Sequence, residues 1–138
     1  MNGPINRIVW AEVLRWLAYV DQDIRVVEIA MAEPSPILGP AAFHCQQAAE
    51  KMAKALLVAR RADVPKIHDV EELSALLSEV DPEAGQIIKG LASVSSWYTA
   101  VRYPNVEAEF APTSDDVRMV VPRLKQVREY IDSLAPKA

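Results

Sequence analysis

The chain has 138 residues, of which 51% are hydrophobic and 25% are charged, and its formal net charge is −4. This length suits one domain spanning residues 1–138, and the composition is that of an ordinary globular fold. The acidic balance argues against a protein that coats nucleic acid, so we expect no DNA partner.

The cysteine count and the hydropathy pattern indicate a cytoplasmic protein. Cys45 is the only cysteine, so no intramolecular disulfide can form. No apolar run approaches the ~20 residues that cross a bilayer, and we expect no secretory leader. With two histidines beside that cysteine, the ligands for a structural zinc site are too few. We therefore expect no membrane partner, no bound metal and no cofactor.

Good helix formers dominate the long segments, and prolines separate them. Apolar residues recur at steps of three and four over residues 6–32, which predicts a first helix. Three prolines in the segment EPSPILGP end it, and a second helix is predicted over 40–62. The segment HDVEELSALLSEV, residues 68–80, predicts a third helix with Asp69 as its cap.

A fourth helix is predicted over residues 83–101, followed by a loop that carries Pro104 and Pro112. Ser114 is the expected N-cap of a last helix that runs almost to the end of the chain. Pro122 lies inside that pattern, which predicts a kink. The expected fold class is all-α: an antiparallel, up-and-down four- or five-helix bundle.

The second helix has a continuous polar side. His44 lies at its edge, Gln47 and Lys51 stack one turn apart, and Glu50 and Lys54 form an i, i+4 ion pair. One interpretation is a solvated face. The other is a ligand site, because glutamine offers donors and acceptors and lysine offers a charge for phosphate. We expect the Gln47–Lys51 edge to face a cleft or a second subunit, and the Glu50–Lys54 edge to face water or that subunit.

The segment SVSSWYTAVRYPN, residues 93–105, is unusually polar and aromatic for a helix end. Tyr98 and Arg102 share one helix face, and the proline after Tyr103 holds that residue extended. One interpretation is an arginine in the last helical turn followed by a proline stop. The other is a cleft mouth where arginine holds phosphate and tyrosine stacks on a base.

Three separated stretches, FHCQQAAEKMAKALL, HDVEEL and WYTAVRYPN, together resemble the HEPN family of small prokaryotic helical-bundle proteins. The resemblance covers roughly residues 5–132. It implies a helical bundle, usually a homodimer, often paired with a minimal nucleotidyltransferase in toxin–antitoxin-like modules. It also implies nucleotide binding in some relatives and metal-independent ribonuclease activity in others.

The ribonuclease members carry an arginine followed, after four to six residues, by a histidine near the start of the last long helix. Arg102 stands at a suitable place, but no histidine follows it. Arg61 and His68 match the spacing across the turn between the second and third helices, and we interpret that match as coincidence. The resemblance therefore names no catalytic residue here.

The sequence thus predicts, first, a nucleotide- or phosphate-binding module. The alternative is a dimerising scaffold for a nucleotidyltransferase partner, with Trp16 and Trp97 as anchors if they are exposed. A ribonuclease acting on RNA ranks third. The predicted ligand-binding residues are His44, Gln47, Lys51, His68, Tyr98, Arg102 and Tyr103.

Overall fold

The computed structural model describes residues 3–97 and 111–137. Within these residues the chain forms five α-helices, one 3₁₀ turn and no strand, so the prediction of an all-α helical bundle is confirmed. The elements in chain order are α1 (Arg7–Ala30), α2 (Leu38–Ala59), α3 (Val70–Val80), α4 (Pro82–Lys89), the 3₁₀ turn (Ala92–Ser96) and α5 (Ser114–Asp132).

Helix α2 is the centre of the bundle, because it packs against α1, α3, α4 and α5. Most of its 22 residues are buried, and many of these are alanines, whose small side chains let neighbouring helices approach closely. The consequence is that helix α2 has no side that lies wholly in solvent. Its polar residues must therefore find partners inside the bundle.

Helices α1 and α5 run antiparallel and are joined by three ion pairs at their exposed edge. Arg128 contacts Asp21 at 2.8 Å, and Lys125 contacts Glu28 at 3.0 Å. Just beyond the end of α1, Glu33 lies 2.7 Å from the guanidinium of Arg118. Since the residue numbers rise along one helix as they fall along the other, these pairs fix the relative direction of the two helices.

Two aspartates begin the helices that follow α2. Asp69 accepts hydrogen bonds from the first backbone amides of α3, as the sequence predicted. Asp81 does the same for α4, and its carboxylate also binds Arg60 at the end of α2, at 2.8 Å. Since Asp81 is buried, this contact ties the α3–α4 junction to α2.

The predicted fourth helix over residues 83–101 is wrong as a continuous element. Helix α4 ends at Lys89, Gly90 follows as its C-cap, and the chain continues as the 3₁₀ turn. Serines are frequent in this turn, and their side chains compete for backbone groups. Ser95 accepts a hydrogen bond from the Val70 backbone amide at 2.8 Å, which pins the turn to the start of α3. Residues 98–101 lie outside the described residues.

The N-cap of the last helix lies one residue earlier than predicted. Thr113, not Ser114, is the N-cap: its hydroxyl accepts from the Asp116 amide, and the Asp116 carboxylate accepts from the Thr113 amide. This reciprocal pair leaves no capping role for Ser114. Pro122 lies inside α5. The kink expected there stays a prediction.

The second residue after α2 has an unfavourable backbone conformation. Arg61 has a φ of 57°, the left-handed region in which glycine is the usual residue. The Arg61 amide donates to Val58 and the Ala62 amide to Leu57, both at 3.0 Å, which is the double hydrogen bond of a Schellman cap.

We expect Arg61→Gly to raise the free energy of unfolding by about 0.5–1 kcal/mol, because glycine adopts this conformation without the steric cost of a Cβ. The midpoint of urea unfolding measures the change. Asp63→Gly is the control, since Asp63 lies two residues on with a negative φ, and glycine there only adds disorder to the unfolded chain. A loss of stability in Arg61→Gly equal to that in the control would contradict the assignment of strain to this position.

Candidate functional site

The polar side of α2 is divided between a buried part and a half-exposed part. Glu50 and Lys54 are buried, with only 7% and 8% of their side chains exposed, and Gln46 is buried beside them. Gln47 and Lys51 are half-buried. The expectation that the Glu50–Lys54 edge faces water or a second subunit is therefore wrong. It assumed that only one side of α2 packs, whereas neighbours contact the helix on several sides.

The half-exposed part is organised by one carboxylate from α1. Asp23 is buried, and each of its two carboxylate oxygens accepts a hydrogen bond from a different side chain. Its Oδ1 atom lies 2.7 Å from Nδ1 of His44, and its Oδ2 atom lies 2.6 Å from Nζ of Lys51. Asp23 was not among the predicted site residues. The sequence does mark Asp23 as unusual, because it is an acidic residue within the apolar stripe that Val20, Ile24 and Val27 form along α1.

The buried part repeats the same arrangement around Glu50. Its Oε2 atom lies 3.0 Å from Nζ of Lys54, and its Oε1 atom lies 3.1 Å from Nδ1 of His68. Gln46 donates from the same amide nitrogen to Glu50 at 3.0 Å and to the His68 carbonyl at 2.8 Å. Each carboxylate therefore takes one lysine and one histidine.

Gln47 extends the network, because its amide donates to the Gln46 side chain at 2.7 Å. We name the whole group the α2 polar cluster. It consists of Asp23, His44, Gln46, Gln47, Glu50, Lys51, Lys54 and His68. Among the described residues, no buried side-chain nitrogen or oxygen lacks a hydrogen-bond partner. The cluster is thus compatible with burial, which an unsatisfied charge would not be.

The carboxylates fix the tautomer of both histidines. An ionised carboxylate has no hydrogen to donate, so the Nδ1 atoms of His44 and His68 must be the donors. In the neutral ring Nε2 is then the acceptor, which is the orientation that a general base requires. His44 has 29% of its side chain exposed and His68 has 59%, so both rings reach the surface.

The cluster carries no net charge when both imidazoles are neutral. Asp23 and Glu50 supply two negative charges, and Lys51 and Lys54 supply two positive charges. A ligand would therefore be attracted by directed hydrogen bonds more than by an overall positive potential. This balance suits a small polar ligand better than a long nucleic-acid backbone, which is bound through excess positive charge.

Four of the seven predicted ligand-binding residues lie in this cluster: His44, Gln47, Lys51 and His68. Tyr98, Arg102 and Tyr103 lie outside the described residues. His68 contacts Glu50 near the middle of α2, and Arg61 follows the end of that helix. That the Arg61–His68 match is coincidence stays an interpretation.

The two candidate anchor tryptophans differ in burial. Trp97 is 7% exposed and belongs to the core, so it is unavailable as an interface anchor. Trp16 is partly exposed and packs against the edge of the core.

Cys45 follows His44 in sequence but cannot form a cysteine–histidine nucleophile. The side chain lies in the core, and burial raises the pKa of its thiol to about 12. The thiol is therefore protonated at physiological pH and unreactive. Over the described part of the chain, no group of three or more histidine, cysteine or acidic side chains is placed to hold a metal ion.

Two grooves of about 400 Å³ lie elsewhere in the described part of the bundle. One of them runs beside α5, and its lining is mainly apolar but includes Arg123, Gln126 and Tyr130. It contains none of the predicted ligand residues. The described helices include none that is long and apolar enough to cross a membrane.

Comparison with known proteins gives one match. A model of the HEPN domain matches residues 34–134, which is most of the chain. The matched segment contains α2 and His68 but not α1, so Asp23 lies outside it. No curated protein and no solved structure matches the chain.

We expect Glu50→Ala to lower the free energy of unfolding by about 3 kcal/mol or more, because it leaves the buried ammonium of Lys54 without a counter-ion. Urea unfolding measures the loss. Replacing both partners, Glu50→Leu with Lys54→Met, removes the buried charge and is expected to recover much of it.

The matched control is Glu28→Ala, which removes the acid of an exposed lysine pair at the same 3.0 Å distance and is expected to cost less than about 1 kcal/mol. Equal losses in Glu50→Ala and Glu28→Ala would show that the Glu50 pair is solvated in solution, contrary to the structure.

Proposed function

The chain belongs to the HEPN domain family, and from that premise we propose that it binds a nucleotide or another phosphate-bearing small ligand at the α2 polar cluster. One observation carries the proposal. Four side chains predicted as ligands from the sequence lie in two hydrogen-bonded sets on α2: His44 and Lys51 bind Asp23, and Gln47 and His68 belong to the set around Glu50. Both histidine rings reach the surface.

The half-exposed residues keep hydrogen-bonding capacity for a ligand. The Lys51 ammonium has three N–H donors, and Asp23 occupies one of them. The Gln47 amide gives one N–H to Gln46, which leaves its second N–H and its carbonyl oxygen for a partner. Lys51 suits a phosphate oxygen, and Gln47 suits the edge of a base, where donors and acceptors alternate.

The buried carboxylates position these groups before a ligand arrives. Asp23 holds Lys51 and His44 in fixed orientations, so little side-chain entropy remains to be lost on binding. The neutral charge balance limits the attraction for phosphate. Arg102, together with Tyr98 and Tyr103, is proposed from the sequence to supply the further positive charge and the aromatic contact.

A second candidate function is a dimerising scaffold, and one observation favours it. Ile8, Tyr19 and Ile29 share the outer side of α1 and are all more than half exposed. Large exposed apolar side chains in a row are typical of interfaces. A nucleotidyltransferase partner and a toxin–antitoxin-like role follow from the family resemblance alone. Light scattering tests the scaffold function by measuring the oligomeric state. If the chain dimerises through this surface, Ile8→Glu should convert the dimer to a monomer, and a wild-type protein that is always monomeric would contradict the scaffold function.

Ribonuclease activity ranks third. Both histidines can present Nε2 as a base, but no histidine follows Arg102 in the sequence, as the ribonuclease pattern requires.

We expect nucleotides to raise the thermal unfolding midpoint of the wild-type protein, because a ligand that binds only the folded state stabilises it by mass action. The gain is ~2.7 kcal/mol at a hundredfold excess over Kd. Lys51→Ala and Arg102→Ala should each reduce the ligand-induced rise. Lys125→Ala is the control, since Lys125 is another paired lysine but lies at the α1–α5 edge.

Each variant is compared with its own ligand-free midpoint, because Lys51→Ala also removes a partner of Asp23 and lowers the baseline stability. A panel of nucleotides with and without Mg²⁺ covers the ligand class. If no nucleotide shifts the wild-type midpoint, the binding proposal is wrong. If the shift survives in Lys51→Ala, the ligand lies away from the α2 polar cluster.

A further inference from the structure

A shallow cavity of about 210 Å³ lies on the surface of α1, outside the α2 polar cluster. Its walls are Glu12, Arg15, Trp16 and Tyr19, which recur at steps of three and four and so share one side of the helix. Most of its lining is apolar. It is too small for a drug-sized molecule but suits one planar ring. We name Trp16 and Tyr19 the aromatic shelf.

The aromatic shelf adjoins the α2 polar cluster. The Lys51 ammonium, which binds Asp23, also lies 5.8 Å from the centre of the Tyr19 ring. Tyr19 is 59% exposed, so much of its ring is open to a ligand. One lysine therefore links an exposed aromatic ring to the predicted phosphate contacts.

A second cation, Arg15, lines the same cavity. Arg15 contacts Glu12 at 3.6 Å, with 79% and 57% of the two side chains exposed. A pair this long and this exposed contributes little, so the guanidinium is available to an anion. The shelf is thus an aromatic surface with Arg15 and Lys51 beside it. Protein sites that bind nucleotides often combine aromatic side chains, on which the base stacks, with cations that contact the phosphate.

We propose that the aromatic shelf binds the nucleobase of the ligand, with the base stacked on Tyr19 and Trp16 and the phosphate contacting Lys51 and Arg15. This inference rests on the proposed function and extends it to residues of α1. Helix α1 lies outside the segment that matches the family, so the family match does not supply this contact.

The test is calorimetric titration with AMP, adenosine and ribose 5-phosphate. The wild-type protein should bind AMP and, more weakly, adenosine, because the base supplies much of the affinity. Tyr19→Ala should weaken AMP binding about tenfold or more, since stacking on an aromatic ring is lost. Tyr19→Phe, which keeps the ring, should bind AMP as the wild type does.

The remaining variants separate base from phosphate. Lys51→Ala should weaken AMP binding more than adenosine binding. Met119→Ala, another exposed apolar side chain but on α5, is the control and should change neither. Tyr19 is exposed, so its replacement is not expected to disturb folding, and circular dichroism checks this.

Three outcomes would overturn the inference. If the wild-type protein binds neither AMP nor adenosine, the proposed function fails and the inference with it. If Lys51→Ala weakens AMP binding but Tyr19→Ala does not, the site stands and the shelf is not the base contact. If Tyr19→Ala leaves AMP binding intact and converts a dimer to a monomer in sedimentation, the shelf is a contact between two copies of the chain.

Discussion

Because α2 is surrounded by other helices, its charged side chains must be neutralised inside the bundle. A solvated lysine or glutamate needs no fixed partner, whereas a buried one costs several kcal/mol unless its charge is paired and hydrogen-bonded. Two carboxylates, Asp23 and Glu50, supply the partners that the polar side chains of α2 require. Each carboxylate takes one lysine and one histidine, and glutamines complete the second set.

The two carboxylates lie in different surroundings, one closed and one at the surface. The Glu50 half of the α2 polar cluster is closed around Lys54 and holds α2 to the chain that precedes α3. The Asp23 half uses the same chemistry at the surface, where His44 and Lys51 are half-exposed and Tyr19 lies nearby. The first half is therefore mainly structural, and the second can also present oriented donors to a ligand. The exposed ion pair between Lys125 of α5 and Glu28 of α1 lies in solvent, so it contributes less to stability than the buried pair.

The sequence predicted much of this and failed for identifiable reasons. Helices α1 to α3 follow from apolar spacing, proline breaks and the Asp69 cap, all of which are local signals. The fourth helix was predicted too long, because the contact between Ser95 and the Val70 amide joins residues that are distant in sequence. The burial of Glu50 and Lys54 could not be read from a helical wheel. That wheel gives the angle of each residue but not how many neighbours surround the helix.

The predicted site combined residues of α2 with His68 and with the segment 93–105, and the structure adds Asp23 of α1 to it. His44, Gln47 and Lys51 were found because helical spacing places them together. His68 was added through the family resemblance. Asp23 was missed, since its meaning depends on the α1–α2 contact, although a lone acid in an apolar stripe is a usable signal for a buried partner.

Because the chain has two histidines, ¹⁵N NMR of their imidazole rings reports on both carboxylate contacts and on ligand binding beside Lys51. We expect Nδ1 to be protonated in both rings of the free protein. AMP should shift the His44 signals in a saturable way, and Lys51→Ala should reduce the shift. Protonation of Nε2 instead would show that the carboxylates do not hold the rings, and unmoved His44 signals while AMP is bound would show that the ligand lies elsewhere.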